Sequence, residues 1–151
     1  MVGFPRSSVG DFAPAVVVHG LTDARLALSV GLPVTLLSAP GAALYAGCGW
    51  WRALVAQARA AFPDATVEDI LDCAEGPGQA LAALRIGQRL LVLWPGAPGW
   101  DSVAAIAAEH GGAVLPGAPP ALDLGARGAE RRLHDWLRGR TTAGDSRPPV
   151  G

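Results

Sequence analysis

His19, Ser38, Asp72 and Glu75 are the side chains of this chain best suited to chemistry, and each follows a short apolar run. His19 comes directly after Ala15–Val18 and precedes Gly20. An imidazole changes charge near neutral pH, so it can act as a general base or donate to an anionic group. Its alternative role is to hold the loop by bonding a backbone carbonyl. Ser38 ends the run Val34–Leu37 and opens Ser38-Ala39-Pro40-Gly41. With His19 as base and Asp72 as acid it would form a hydrolytic set. The surrounding residues are not the G-x-S-x-G elbow that exposes a nucleophile, and a strand-terminating serine bonded to nearby backbone is the competing role. Asp72 and Glu75 lie in Asp72-Cys73-Ala74-Glu75-Gly76-Pro77-Gly78. Two carboxylates there offer oxygen ligands to a divalent ion. The same turn also reads as a solvated acidic loop, with Glu75 near the positive end of the helix that follows.

Between Ser38 and the next apolar stripe lies Gly41-Ala42-Ala43-Leu44-Tyr45-Ala46-Gly47-Cys48-Gly49-Trp50-Trp51. Small residues let a backbone or a ligand approach closely. Leu44, Cys48, Trp51, Val55, Ala58 and Phe62 recur at helical spacing, which puts Trp51 in the core and leaves Trp50 and Tyr45 off the stripe. Trp50 would wall a pocket or pack a subunit contact. Gly47 and Gly49 each cost about 1 kcal/mol against alanine inside a helix. The regular helix therefore starts either near Ala42, with the glycines admitting a close neighbour, or only near Gly49. Trp94-Pro95-Gly96-Ala97-Pro98-Gly99-Trp100 is a fourth break, whose two tryptophans suit a planar ligand, an oligomer contact or plain loop packing.

These breaks gain meaning from the elements around them. Strands are expected at 15–19, 33–38, within 66–73, at 89–93 and at 113–115. Helices are expected at about 22–30, from 42 or 49 to 62, at 77–86, 100–110 and 126–138. Thr22 or Asp23 is placed to cap the first helix. Alternating strand and helix through five units predicts an α/β domain: three layers, doubly wound, with about five mostly parallel strands and helices on both faces. Rossmann-like and flavodoxin-like strand orders stay open, and both keep the first strand central. In such sheets ligands bind outside the carboxyl ends of the strands, where all four breaks fall. The domain is expected over residues 14–139, with an extended arm at 1–13 and a disordered tail at 140–151.

Composition removes several function classes. The net charge of −1 gives no electrostatic case for nucleic acid or an anionic membrane. All 12 basic residues are arginine, so Schiff-base chemistry with a protein lysine, the Walker-type phosphate loop and a kinase-type lysine are excluded. The two cysteines, Cys48 and Cys73, have no metal-ligand spacing and suit a reduced, cytoplasmic setting. No secretory signal and no membrane span are expected. No cofactor follows from any motif.

Val16-Val17-Val18-His19-Gly20-Leu21-Thr22-Asp23-Ala24-Arg25, with Gly31-Leu32-Pro33-Val34, resembles the opening of a Toprim domain. Ile70-Leu71-Asp72-Cys73-Ala74-Glu75-Gly76-Pro77-Gly78 resembles its acidic strand end and following helix. The resemblance implies a metal-assisted site at these strand ends. The chain departs from it in having His19 where the family has a glutamate and Ala74 where it has a second aspartate.

The expected function is small-molecule binding, with a nucleotide-like or anionic ligand at the carboxyl edge of the sheet. His19, Thr22, Asp23, Ser38, Gly41, Tyr45, Trp50 and Glu75 line that site. The catalytic candidates of the alternative enzyme are His19, Ser38 and Asp72, acting as a Ser38/His19 hydrolase or through Asp72 and Glu75 as a degenerate Toprim-like domain. The third alternative is a non-catalytic homo-oligomerisation or interaction domain, suggested by five tryptophans on a weakly charged chain.

Overall fold

Three consecutive valines, stiff at χ1 and favoured on a pleated surface, form most of β1 (Ala15–Val18), all of it buried. The computed structural model describes residues 12–139. Most of the arm expected over 1–13, and the tail expected over 140–151, lie outside the described residues. The same apolar logic gives β2 (Val34–Ser38), β3 (Val67–Asp72), β4 (Leu90–Val92) and β5 (Ala113–Leu115). A sixth strand, β6 (Ala121–Asp123), was not expected. Its three residues follow a proline-rich run and are too few to show a period. The α/β class is as expected: a six-stranded, all-parallel sheet flanked by helices, in the order β5-β4-β3-β2-β1-β6. The first strand is internal, between β2 and β6.

The helices are α1 (Leu21–Ser29), α2 (Ala42–Tyr45), α3 (Cys48–Ala61), α4 (Pro77–Arg85), α5 (Trp100–Glu109) and α6 (Ala129–Leu137). The two alternatives for the glycine-rich stretch resolve into both parts at once. A single turn forms at Ala42, and Gly47 at φ +91°, a left-handed value that costs glycine little, breaks it before α3 begins. That break takes Leu44 off the stripe: it is exposed, whereas Trp51, Leu54, Val55 and Ala58 are buried.

Two apolar clusters sandwich the strands. The larger unites Val16, Leu36, Leu71, Leu91 and Leu122 with buried side chains of α1, α3, α4, α5 and α6. The smaller lies on the opposite side chains of the strands: Val17, Leu37, Ile70, Leu90, Val92 and Leu115, with Phe12 and Ala121 at its margin. The connection from β5 to β6 dictates the shape around this second cluster. In a flat sheet β5 and β6 would stand five spacings apart, about 24 Å. Six residue steps from Leu115 to Ala121 span at most roughly 22 Å even when fully extended, and the chain must also return from the carboxyl to the amino end of the strands. The sheet is therefore curled, and the side chains of the smaller cluster converge on its inner side.

A polar network pins α3 to the sheet. Asp69, 8% exposed, accepts from Trp51 Nε1, Arg52 Nη1 and Gln88 Nε2, each at 3.0 Å, and from Arg59 Nη2 at 3.4 Å. Gln88, 1% exposed, accepts from Arg52 at 2.7 Å and donates to the Leu90 carbonyl at 2.8 Å. A carboxylate this deep needs donors around it, and here it has four.

Candidate functional site

The strand register sets the site. Asp72, Val92 and Leu115 pair across β3, β4 and β5, and continuing the β1–β2 and β2–β3 registers by one and two residues adds His19 and Ala39 to this row. Side chains of paired residues in a parallel sheet share a face. His19, Ala39 and Asp72 therefore stand at the carboxyl ends of three neighbouring strands, on the inner side occupied by Val17, Leu37 and Ile70.

His19 is held at two points, by its ring and by its backbone. Its Nε2 lies 2.6 Å from Asp123 Oδ1, and its backbone N–H donates to Asp23 Oδ2 at 2.9 Å. The Asp123 carboxylate also accepts the Gly125 N–H at 2.8 Å. Burial opposes ionisation of Asp123, but the His19 hydrogen bond, the Gly125 N–H and the charge of His19 outweigh it, and its carboxyl sits below its ordinary value. Gly125 permits the arrangement. A Cβ there would stand 3.0 Å from His19 Nε2 and 3.2 Å from Asp123 Oδ1. The imidazole remains 42% exposed, and among the described residues its Nδ1 has no hydrogen-bond partner. An Asp that fixes one nitrogen of a partly exposed ring and leaves the other without a protein partner is the arrangement that presents a histidine for proton transfer or ligand binding.

Asp123 was not among the expected site residues. It sits on the strand too short to read, and its only sequence signal is an acid two residues before Gly125 in Leu122-Asp123-Leu124-Gly125, like His19 before Gly20. Beyond it, Leu124, Ala126, Gly128, Ala129, Glu130 and Arg131 line an open cleft of about 580 Å³ at the start of α6. Arg131 folds back over Gly128: a Cβ on Gly128 would meet its Nη2 at 3.1 Å.

Ser38 and Asp72 do come together, through backbone. The Ser38 hydroxyl accepts the Asp72 N–H at 2.9 Å and donates to the Ala39 carbonyl at 3.1 Å, and the serine is 1% exposed. The hydroxyl is thus engaged in tying β2 to β3, and the bonded partner of the His19 ring is Asp123. Asp72, 4% exposed, accepts the Ala74 N–H on Oδ1 at 2.9 Å. That turn holds Ala74 at φ +49°, a strained value for a residue with a Cβ. Gly41, left-handed at φ +70°, packs against Ala74 at the start of α2. Thr22, Tyr45, Trp50 and Glu75 are exposed in the segments after β1, β2 and β3. Trp50 touches Trp51 with ring centroids 5.9 Å apart. Cys73, beside Asp72, is buried and its thiol is pushed up to about 12 by burial, then by the charges of Asp72 and Cys48.

Among the described residues no group of three or more His, Cys, Asp or Glu is arranged to hold a metal ion, and no helix is long and apolar enough to cross a membrane. No protein-family model matches this chain, and no curated protein matches it.

Proposed function

We propose that the carboxyl edge of the sheet binds a small, nucleotide-like anionic ligand, with His19 as its central contact. One observation carries this reading: Asp123 fixes Nε2 of His19 at 2.6 Å while Nδ1 stays unpartnered and the ring 42% exposed. A second supports it. The cleft at the start of α6 adjoins the same strand end and brings Arg131 and a helix N-terminus to it, both favourable to an anion, with Glu130 limiting the charge that can be accepted. Thr22, Asp23, Tyr45 and Trp50 lie in the segments along the same edge and would supply polar and aromatic contacts.

The test is a titration of ¹⁵N-labelled protein with adenosine 5′-monophosphate and with inorganic phosphate, following the His19 ring. Saturable movement of the Nδ1 signal, abolished in His19→Ala, is the expected result. A ring signal that stays still through millimolar ligand overturns the reading. An acid–base enzyme is the second reading, favoured by the His19–Asp123 pair itself; it requires a bound substrate whose proton lies within about 3 Å of Nδ1.

A further inference from the structure

The buried carboxylate of Asp72 has work left over. It is 4% exposed, yet the one hydrogen bond it accepts among the described residues is from Ala74 N–H to Oδ1. A carboxylate can take about four hydrogen bonds. Leaving an oxygen of a buried one without a donor is costly, and such a group in a native fold calls for an explanation. Asp69 shows how this chain treats a buried carboxylate of structural use, with four donors around it. Asp72 has no comparable set.

Its position suggests the missing partner. Asp72 and His19 stand in one row, separated by β2, whose residue in that row is Ala39. Two strand spacings put their backbones about 10 Å apart on a flat sheet. Curling brings inward side chains of one row closer than their backbones. Ala39 presents only a methyl group between them, and Val92 and Leu115 continue the row with apolar side chains. A carboxylate beside an apolar wall, in the same row as an imidazole, asks for a neutral hydrogen-bond donor on a compact carbon frame. A hydroxyl suits it; a phosphate, which is an acceptor carrying like charge, does not.

We infer that Asp72 Oδ2 accepts a sugar hydroxyl of the ligand, so that the site is specific for ribose-bearing compounds and discriminates against their deoxy forms. The inference rests on the nucleotide-like reading above and divides the ligand between two places: the anionic group faces His19 and the α6 cleft, and the sugar faces Asp72.

Binding of adenosine 5′-monophosphate and of its 2′,3′-dideoxy analogue is compared on the intact protein and on Asp72→Asn, by calorimetry and by the His19 ring signal. Asp72→Asn keeps an oxygen for the Ala74 N–H and replaces Oδ2 with a donor, and circular dichroism and thermal unfolding check that it folds. The native protein is expected to prefer the ribonucleotide by tenfold or more, and Asp72→Asn to lose that preference while its affinity for the dideoxy compound stays within twofold. Equal affinity of the native protein for the two nucleotides, with His19 still responding, overturns the sugar contact and leaves the anion site standing. An Asp72→Asn variant that still discriminates also overturns it. A His19 ring that responds to neither nucleotide nor to inorganic phosphate overturns the underlying reading and this inference with it.

Discussion

His19 Nε2 lies 2.6 Å from Asp123 Oδ1, although 104 positions separate the two residues in the chain. The contact exists because β6 adds to β1 in parallel, pairing Val17 with Asp123 and leaving His19 two residues further along the same face. Both side chains are about half exposed, so the pair adds less than about 1 kcal/mol to stability. The sign of its pH dependence follows from the lowered carboxyl value of Asp123. A folded value below the unfolded one of about 3.9 gives a contribution that is present above that pH and is lost as pH falls through the folded value. Asp123→Asn should therefore be slightly less stable than the native protein at pH 6, with the difference closing in strong acid. Urea unfolding of both proteins across pH 2–7 measures it.

The order of elements was legible because hydrophobic period and glycine punctuation agree over long stretches, and five strands and the longer helices follow from it. The candidate site was legible in half. His19, Ser38 and Asp72 announce themselves as polar residues ending apolar runs. What Ser38 does with its hydroxyl depends on the β2–β3 register, which no local pattern encodes. Asp123 depends on a three-residue strand that crosses to the far side of β1, a tertiary event. Leu44 shows the same limit in the other direction: its spacing fits the α3 stripe, but one left-handed glycine cancels the phase.

Asp69 should be among the most sensitive positions in the protein. Asp69→Ala would leave Trp51 Nε1, Gln88 Nε2 and the Arg52 guanidinium without their shared acceptor in a buried setting. Breaking a buried, hydrogen-bonded charge in this way costs about 3–5 kcal/mol. Arg59→Ala removes the 3.4 Å contact to Asp69 and a 3.1 Å bond to the Val67 carbonyl, both made by a half-exposed side chain, and should cost under about 1 kcal/mol. Equilibrium denaturation of the two variants separates the cases; equal losses would show that the network does not centre on Asp69.

Ala74 carries the only left-handed backbone among the non-glycine residues described. A β-branched residue fits that conformation worse than alanine does, and the site is 4% exposed against Gly41. Ala74→Val is expected to lose about 2 kcal/mol or more. Ala74→Gly relieves the strain while losing a buried methyl group and should stay within about 1 kcal/mol of the native protein. Thermal unfolding of both variants provides the comparison.

The two thiols should differ sharply in reactivity. Cys73 is fully buried, with its thiol near 12, whereas Cys48 is partly exposed. Since thiolate is the reacting form, Ellman's reagent at pH 8 should modify Cys48 alone in the native protein and both after denaturation. The same elevation gives an alkaline signature. Unfolded Cys73 ionises near 9 while the folded residue keeps its proton to about 12, so stability falls with rising pH across that interval by about 1.4 kcal/mol per unit. Cys73→Ala should lower stability at pH 7 but flatten this slope.

Gly125 offers a way to disturb the site without disturbing the fold. It lies in an exposed segment, outside the left-handed region, so its backbone accepts an alanine. The new Cβ would stand 3.0 Å from His19 Nε2 and 3.2 Å from Asp123 Oδ1, tighter than nearly all real contacts, and the exposed imidazole is the group free to give way. Gly125→Ala should therefore change unfolding stability by less than about 1 kcal/mol. It should still lengthen the His19–Asp123 hydrogen bond, shift the Nε2 signal of the ring and weaken the nucleotide binding proposed for His19. Native-like ring signals in this variant would mean that the imidazole is not held against Gly125 in solution.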